Sequence, residues 1–152
     1  MDWEVFYYQS ERGESPIEEF LNGLSLKARA KCLAYIEQLE QFGNRLPSNF
    51  ASKVQGDVWE LWPEWGGVEH RFFYFSFVDR RIVIVHAFAK KSQKLKAQDI
   101  NIALVRVEEV RRREKAKTEA DKKAEQEAKN PDGTLKANDE PEITPAIRPR
   151  AE

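Results

Sequence analysis

A carboxylate, an arginine and a pair of lysines stand at spacings that a small β-sheet can bring together. Asp57–Trp62 and Glu69–Val78 have the aromatic and β-branched content of strands. Side chains alternate between the two faces of a strand, so Val58, Glu60 and Trp62 share one face of the first. Glu69, Arg71, Phe73 and Phe75 share one face of the second. If Glu60 and Arg71 lie on the face left uncovered by helices, they form a concave polar patch. Lys90 and Lys91, at the end of a further strand Arg81–Phe88, border it. Such a patch suits phosphate-ester chemistry. Arginine and lysine neutralise charge developing on the phosphate oxygens, while a glutamate, histidine or shifted lysine carries protons. Trp62 and Phe73, read as exposed, can stack on an unpaired base.

Each residue also has a structural reading. Arg71 can pair with Glu60 across two strands and do nothing else, and the Lys90–Lys94 run can be a solvated loop. His86 lies inside an apolar strand, where a hydrogen-bonded core histidine competes with a catalytic one. His70 adjoins Arg71 but falls on the opposite strand face, which leaves it a weak candidate. Cys32 sits on an apolar helix face and reads as packing.

The elements that must position these groups follow in order. Trp3–Tyr8 reads as a first strand. Ser15–Pro16–Ile17–Glu18 opens a short amphipathic helix, with Ser15 and Glu18 spaced as a capping box. Ser25 caps a second helix to about Phe42, stopped by Gly43–Asn44. After a loop through Pro47 come three strands, separated by Gly66–Gly67 and Asp79–Arg80, as in an antiparallel meander. A last helix begins near Ala97, with Ile100, Ala103, Leu104, Val107 and Val110 on one face. The fold class is therefore α+β, β-α-α-β-β-β-α, with helices on one face of a small, mainly antiparallel sheet. The expected domain spans 1–110, a charged helical extension 111–130, and a tail without structure 131–152.

Bulk properties narrow the class. The 152 residues are 41% hydrophobic and 34% charged, with a formal net charge of −1. One domain with an appendage fits that length. A net charge near zero argues against a nucleic-acid binder, yet Arg80 to Arg106 holds seven Lys/Arg against one acid, Asp99. A single cysteine excludes an internal disulfide, and two histidines with one thiol lack zinc-site spacing, so no metal and no cofactor is expected. The opening residues are not a signal peptide and the apolar runs are too short for a bilayer, so the expected location is the cytoplasm, without membrane contact.

Three stretches carry a family likeness. Val58–Trp59–Glu60–Leu61, then His70–Arg71–Phe72–Phe73–Tyr74–Phe75, then Ile82–Val83–Ile84–Val85–His86–Ala87–Phe88–Ala89–Lys90–Lys91–Ser92–Gln93–Lys94, resemble the pattern of phage-derived HigB-like toxins in the RelE superfamily. The resemblance implies a RelE-like fold and a toxin of a type II toxin–antitoxin pair, a ribosome-dependent endoribonuclease cutting messenger RNA. It places Arg71 at the scissile phosphate, Lys90 or Lys91 at a second phosphate contact, and Lys53 in RNA positioning or proton transfer. Glu60 joins that set, with Trp62, Phe73, Gln93 and Lys94 as further RNA contacts. The implied partners are a helix-turn-helix antitoxin, the ribosome and mRNA, with operator DNA reached only through the antitoxin. Two departures stand out. Trp62 occupies a position commonly held by arginine, and Leu95–Lys96 replaces a Thr-Pro pair. The first removes a phosphate contact and supports the alternative, a catalytically silent module that keeps the fold and the antitoxin-binding surface.

Overall fold

The computed structural model describes residues 3–77, 79–90 and 97–128, and the backbone of Ile147–Pro149. The aromatic run Glu4–Tyr8 forms β1. Helix α1 (Pro16–Asn22) begins with Pro16, whose missing N–H would have had no helical partner anyway. The expected cap before it does not form, because the Ser15 hydroxyl is buried without a hydrogen-bond partner. Helix α2 (Leu26–Phe42) does carry its cap, Ser25 Oγ accepting from the Ala28 N–H at 3.2 Å. Gly43 ends α2 at φ 52°, and a Cβ there would lie 2.2 Å from the Trp3 indole. The Trp3 N–H donates to the Glu40 carbonyl at 2.7 Å, so the start of the chain is pinned to the end of α2.

A 3-10 turn, Gly43–Arg45, leads to β2 (Ala51–Gln55), β3 (Val58–Leu61), β4 (Glu64–Trp65), β5 (Val68–Phe77) and β6 (Arg81–Lys90). Helix α3 (Ala97–Ala128) and β7 (Ile147–Pro149) complete the chain. The strands form one sheet in the order β2-β3-β5-β6-β1-β7, with β4 paired to β5. The antiparallel meander holds for β3, β5 and β6, but β1 runs parallel to β6, which makes the sheet mixed. Three strands go beyond the sequence expectation: β2 in the supposed loop, the two-residue β4 before Gly66–Gly67, and β7 within the tail expected to lack structure.

The expectation of helices on one face is corrected by what each helix touches. Phe20 of α1 packs on Phe72 and His70, which share one face of β5. From α3, Arg111 lies over Phe75, Asp99 bonds His86 and Arg81 pairs with Glu114, all on the other face. The sheet is thus a central layer, with Ile36, Leu39 and Ile17 buried on the helical-pair side and Ala103, Val107 and Val110 on the α3 side. Past Val110 the helix continues mostly exposed, with Arg113 paired to Glu109 one turn back.

Candidate active site

Strand register decides which polar groups meet. Glu60 of β3 stands opposite Phe73 of β5, while Arg71 stands opposite Phe88 and Glu69 opposite Lys90 on β6. All of these side chains occupy the α3 face. Arg71 Nη1 donates to Glu60 Oε1 at 2.7 Å, and its Nη2 donates to Glu69. Ser52, opposite Glu60 on β2, donates to the same Oε1 at 3.4 Å. The Arg71 guanidinium lies 5.7 Å from the centre of the Trp62 ring, a cation–π contact.

Burial sets the electrostatics of this cluster. Glu60 is 6% exposed and Lys90 7% exposed. Desolvation pushes the Glu60 carboxyl above its ordinary range, and the nearby Arg71 and Lys90 charges oppose that shift. Two polar atoms remain buried and unpartnered, Glu60 Oε2 and Arg71 Nε. A buried donor and a buried acceptor left open cost roughly 1–3 kcal/mol each, so both atoms have hydrogen-bonding capacity for a further partner. An acceptor with a raised pKa beside an arginine with a spare N–H can take a proton from a hydroxyl while holding a phosphate oxygen.

The family profile described as "Phage derived protein Gp49-like" matches residues 19–108, more than half of the chain. The chain belongs to that Gp49-like family. The family lies in the RelE/ParE-like toxin superfamily and is associated with the toxins of toxin–antitoxin systems in general. No curated protein matches the chain. The Gp49-like segment includes β2 through β6 and the buried stripe of α3 up to Val107, so the whole Glu60–Arg71 cluster falls inside it.

Within this Gp49-like domain the expected residues part company. Glu60, Arg71, Lys90 and Trp62 come together, although as a largely buried network and not as an open patch. Phe73 is fully buried, edge-on to Phe88 and near His86, so it floors the cluster and is closed to an RNA base. Lys53 does not join. It pairs in register with Trp59, on the face opposite to Glu60, because Ser52 takes the Glu60 side. His70 is buried on the α1 face with Nδ1 3.3 Å from the Pro63 carbonyl, a structural role. Lys91, Gln93 and Lys94 lie outside the described residues.

His86 holds α3 to the sheet. Its Nε2 lies 2.8 Å from Asp99 Oδ1, and Arg106 Nη1 sits 3.5 Å from its Nδ1. Burial, reinforced by Arg106, lowers its pKa against the pull of Asp99, so the neutral ring donates from Nε2 and accepts at Nδ1. A skip in the β5–β6 register, Phe73 with His86 but Tyr74 with Ile84, leaves Val85 extra, and Arg106 bonds its carbonyl at 2.8 Å. Tyr8 donates to Glu109 at 2.6 Å, with its hydroxyl pushed up to about 12 by burial and by that carboxylate. Sequence reasoning missed Glu69 and Ser52 as partners. The same-face spacing of Glu69 and Arg71 was the available signal; nothing in the sequence announced Ser52.

Proposed function

We propose that the chain is the toxin of a type II toxin–antitoxin pair, folded like the RelE and HigB toxins and acting in the cytoplasm as a metal-independent endoribonuclease on messenger RNA at the ribosome. The observation that supports this most is the buried Glu60–Arg71 pair with Oε2 and Nε both open. In the proposed reaction Glu60 accepts the 2′-hydroxyl proton, and the 2′-oxygen attacks the adjacent phosphorus. Arg71 turns its free N–H and one carboxylate-bound N–H to the phosphate oxygens, with Lys90 as the second cation. The P–O5′ bond breaks, the 5′-oxygen takes up a proton from solvent water, and a 2′,3′-cyclic phosphate remains. Trp62 offers the flat surface on which a neighbouring base stacks. A helix-turn-helix antitoxin restrains the toxin and carries the complex to operator DNA.

A second reading has its own observation. Arg71 is already bound to two carboxylates and its side chain is 13% exposed, an arrangement that also suits a silent module kept for antitoxin binding. Induced expression separates the two. The toxin reading predicts growth arrest, relieved by Arg71→Ala and equally by Glu60→Gln, which keeps the shape of the side chain. Absence of arrest with soluble protein favours the silent module.

A further inference from the structure

The other face of the sheet has a cleft that the Glu60 chemistry does not use. Helix α2 ends at Gly43, which forms part of the wall of this cleft. There a cavity of about 440 Å³ opens, within the range of small-molecule sites. Its floor is a cross-strand row: Lys53 of β2 is opposite Trp59 of β3, which is opposite Tyr74 of β5. Trp59 is 40% exposed although its strand lies inside the sheet, an unusual place to leave an indole in water. Lys53 is exposed beside it, and Arg111 reaches the rim from α3 through its 2.7 Å bond to Asp57. Ser76 donates to Asn44 Oδ1 at 2.9 Å across the remaining wall, which leaves the Asn44 amide N–H groups as donors.

We propose that this cleft binds a nucleotide unit, with its base stacked on Trp59 and its phosphate between Lys53 and Arg111. A flat ring and an anion match what the walls offer: an open indole, the exposed Lys53, an Arg111 paired with Asp57 at 2.7 Å and with Glu108 only at 3.8 Å, and an amide able to read a base edge. The Lys53–Trp59–Tyr74 floor stands on the face opposite Glu60 and Arg71, and Arg111 reaches it from the α3 side past Asp57, so the site uses neither Glu60 nor Arg71 and its binding is separable from the nuclease reading. The unit is either a free nucleotide or part of a single strand, and the chemistry of recognition is the same for both.

The test is titration of the full chain with adenosine 5′-monophosphate, followed by the Trp59 indole and Gly56 amide resonances. Adenosine, inorganic phosphate and a 2′-O-methylated RNA hexanucleotide serve as parallel probes. The nucleotide is expected to shift both resonances, with adenosine or phosphate alone binding at least about tenfold more weakly. Trp59→Ala, read at Gly56, and Lys53→Ala should each weaken binding about tenfold, the lysine change also flattening its salt dependence. Both side chains are exposed, so neither variant threatens the fold. Glu60→Gln should leave binding unchanged. A hexanucleotide tighter than the mononucleotide makes a strand the occupant, and equal affinity makes it a free nucleotide. The proposal is overturned by phosphate binding as well as the nucleotide, by no shift with either nucleotide or hexanucleotide, or by loss of binding in Glu60→Gln.

Discussion

The chemistry of the Glu60 cluster depends on a balance between desolvation and pairing. Two carboxylates face two cations, Glu60, Arg71 and Lys90 largely shielded from water and Glu69 38% exposed at their edge. Removing one member of such a buried set costs about 3–5 kcal/mol, because its partner is left charged and unpaired. Arg71→Ala should therefore lower stability as well as activity, which is why the isosteric Glu60→Gln is the cleaner probe. Two of the shifted groups on this face, His86 and Glu60, have opposite pH signatures. His86 has a lowered pKa in the folded chain, so its contribution to stability is complete above pH 6.5 and is lost as the pH falls below that value. Glu60 has a raised pKa, so its contribution is complete below pH 4.5 and declines as the pH rises. The slopes oppose each other between those values. Urea midpoints measured across that interval should rise more steeply with pH in Glu60→Gln than in the parent, and parallel curves would contradict the assignment.

At the scale of elements, most of the fold was legible because its segments follow simple periodicities. Helix α2 runs from its Ser25 cap to Phe42 as the spacing of Cys32, Ile36 and Leu39 requires, and Cys32 is core, its thiol pushed up to about 12 by burial. Strands β5 and β6 stand where their aromatic and branched residues put them. Strand β2 was not legible: Ala51–Gln55 is polar and short, and only its pairing with β3 makes it a strand. The face chosen by α3 and the parallel β1–β6 pairing depend on long-range packing that no local pattern carries. For the site, strand parity correctly joined Glu60 to Arg71, while the burial of Phe73 depended on α3 lying over that face and on the neighbouring β6 side chains His86 and Phe88. The turn after α2 offers a direct test. Gly43→Ala puts a Cβ into the Trp3 ring at a positive φ, and urea unfolding should show a loss of about 1–3 kcal/mol. An unchanged midpoint would mean that Trp3 does not pack there.

Across the whole molecule, charge is committed internally more than its distribution in sequence suggested. Arg81 pairs with Glu114 at 3.1 Å, Arg106 bonds the sheet backbone, and Lys90 is buried, so much of the basic stretch faces protein. No helix among the described residues is long and apolar enough to cross a membrane. The sheet closes at one side with β7, whose Ile147–Pro149 pairs antiparallel with β1. Pro149 brings no N–H to that ladder, so the cover is short and weak. Removing residues 129–152 uncovers an aromatic edge strand, and sedimentation at rising concentration should show self-association that the full chain resists. A truncated chain as monomeric as the parent would assign the edge no such role.

The most direct measurement of the central claim is made in a purified translation system programmed with a defined message, with fragment ends mapped by primer extension and their terminal chemistry determined. The full chain should cut the message only when ribosomes are present and leave 2′,3′-cyclic phosphate ends, and Glu60→Gln should cut ~10²–10⁴-fold more slowly. Intact message with the folded chain, or equal cutting by parent and Glu60→Gln, would contradict the claim that the buried Glu60–Arg71 pair is the chemical centre.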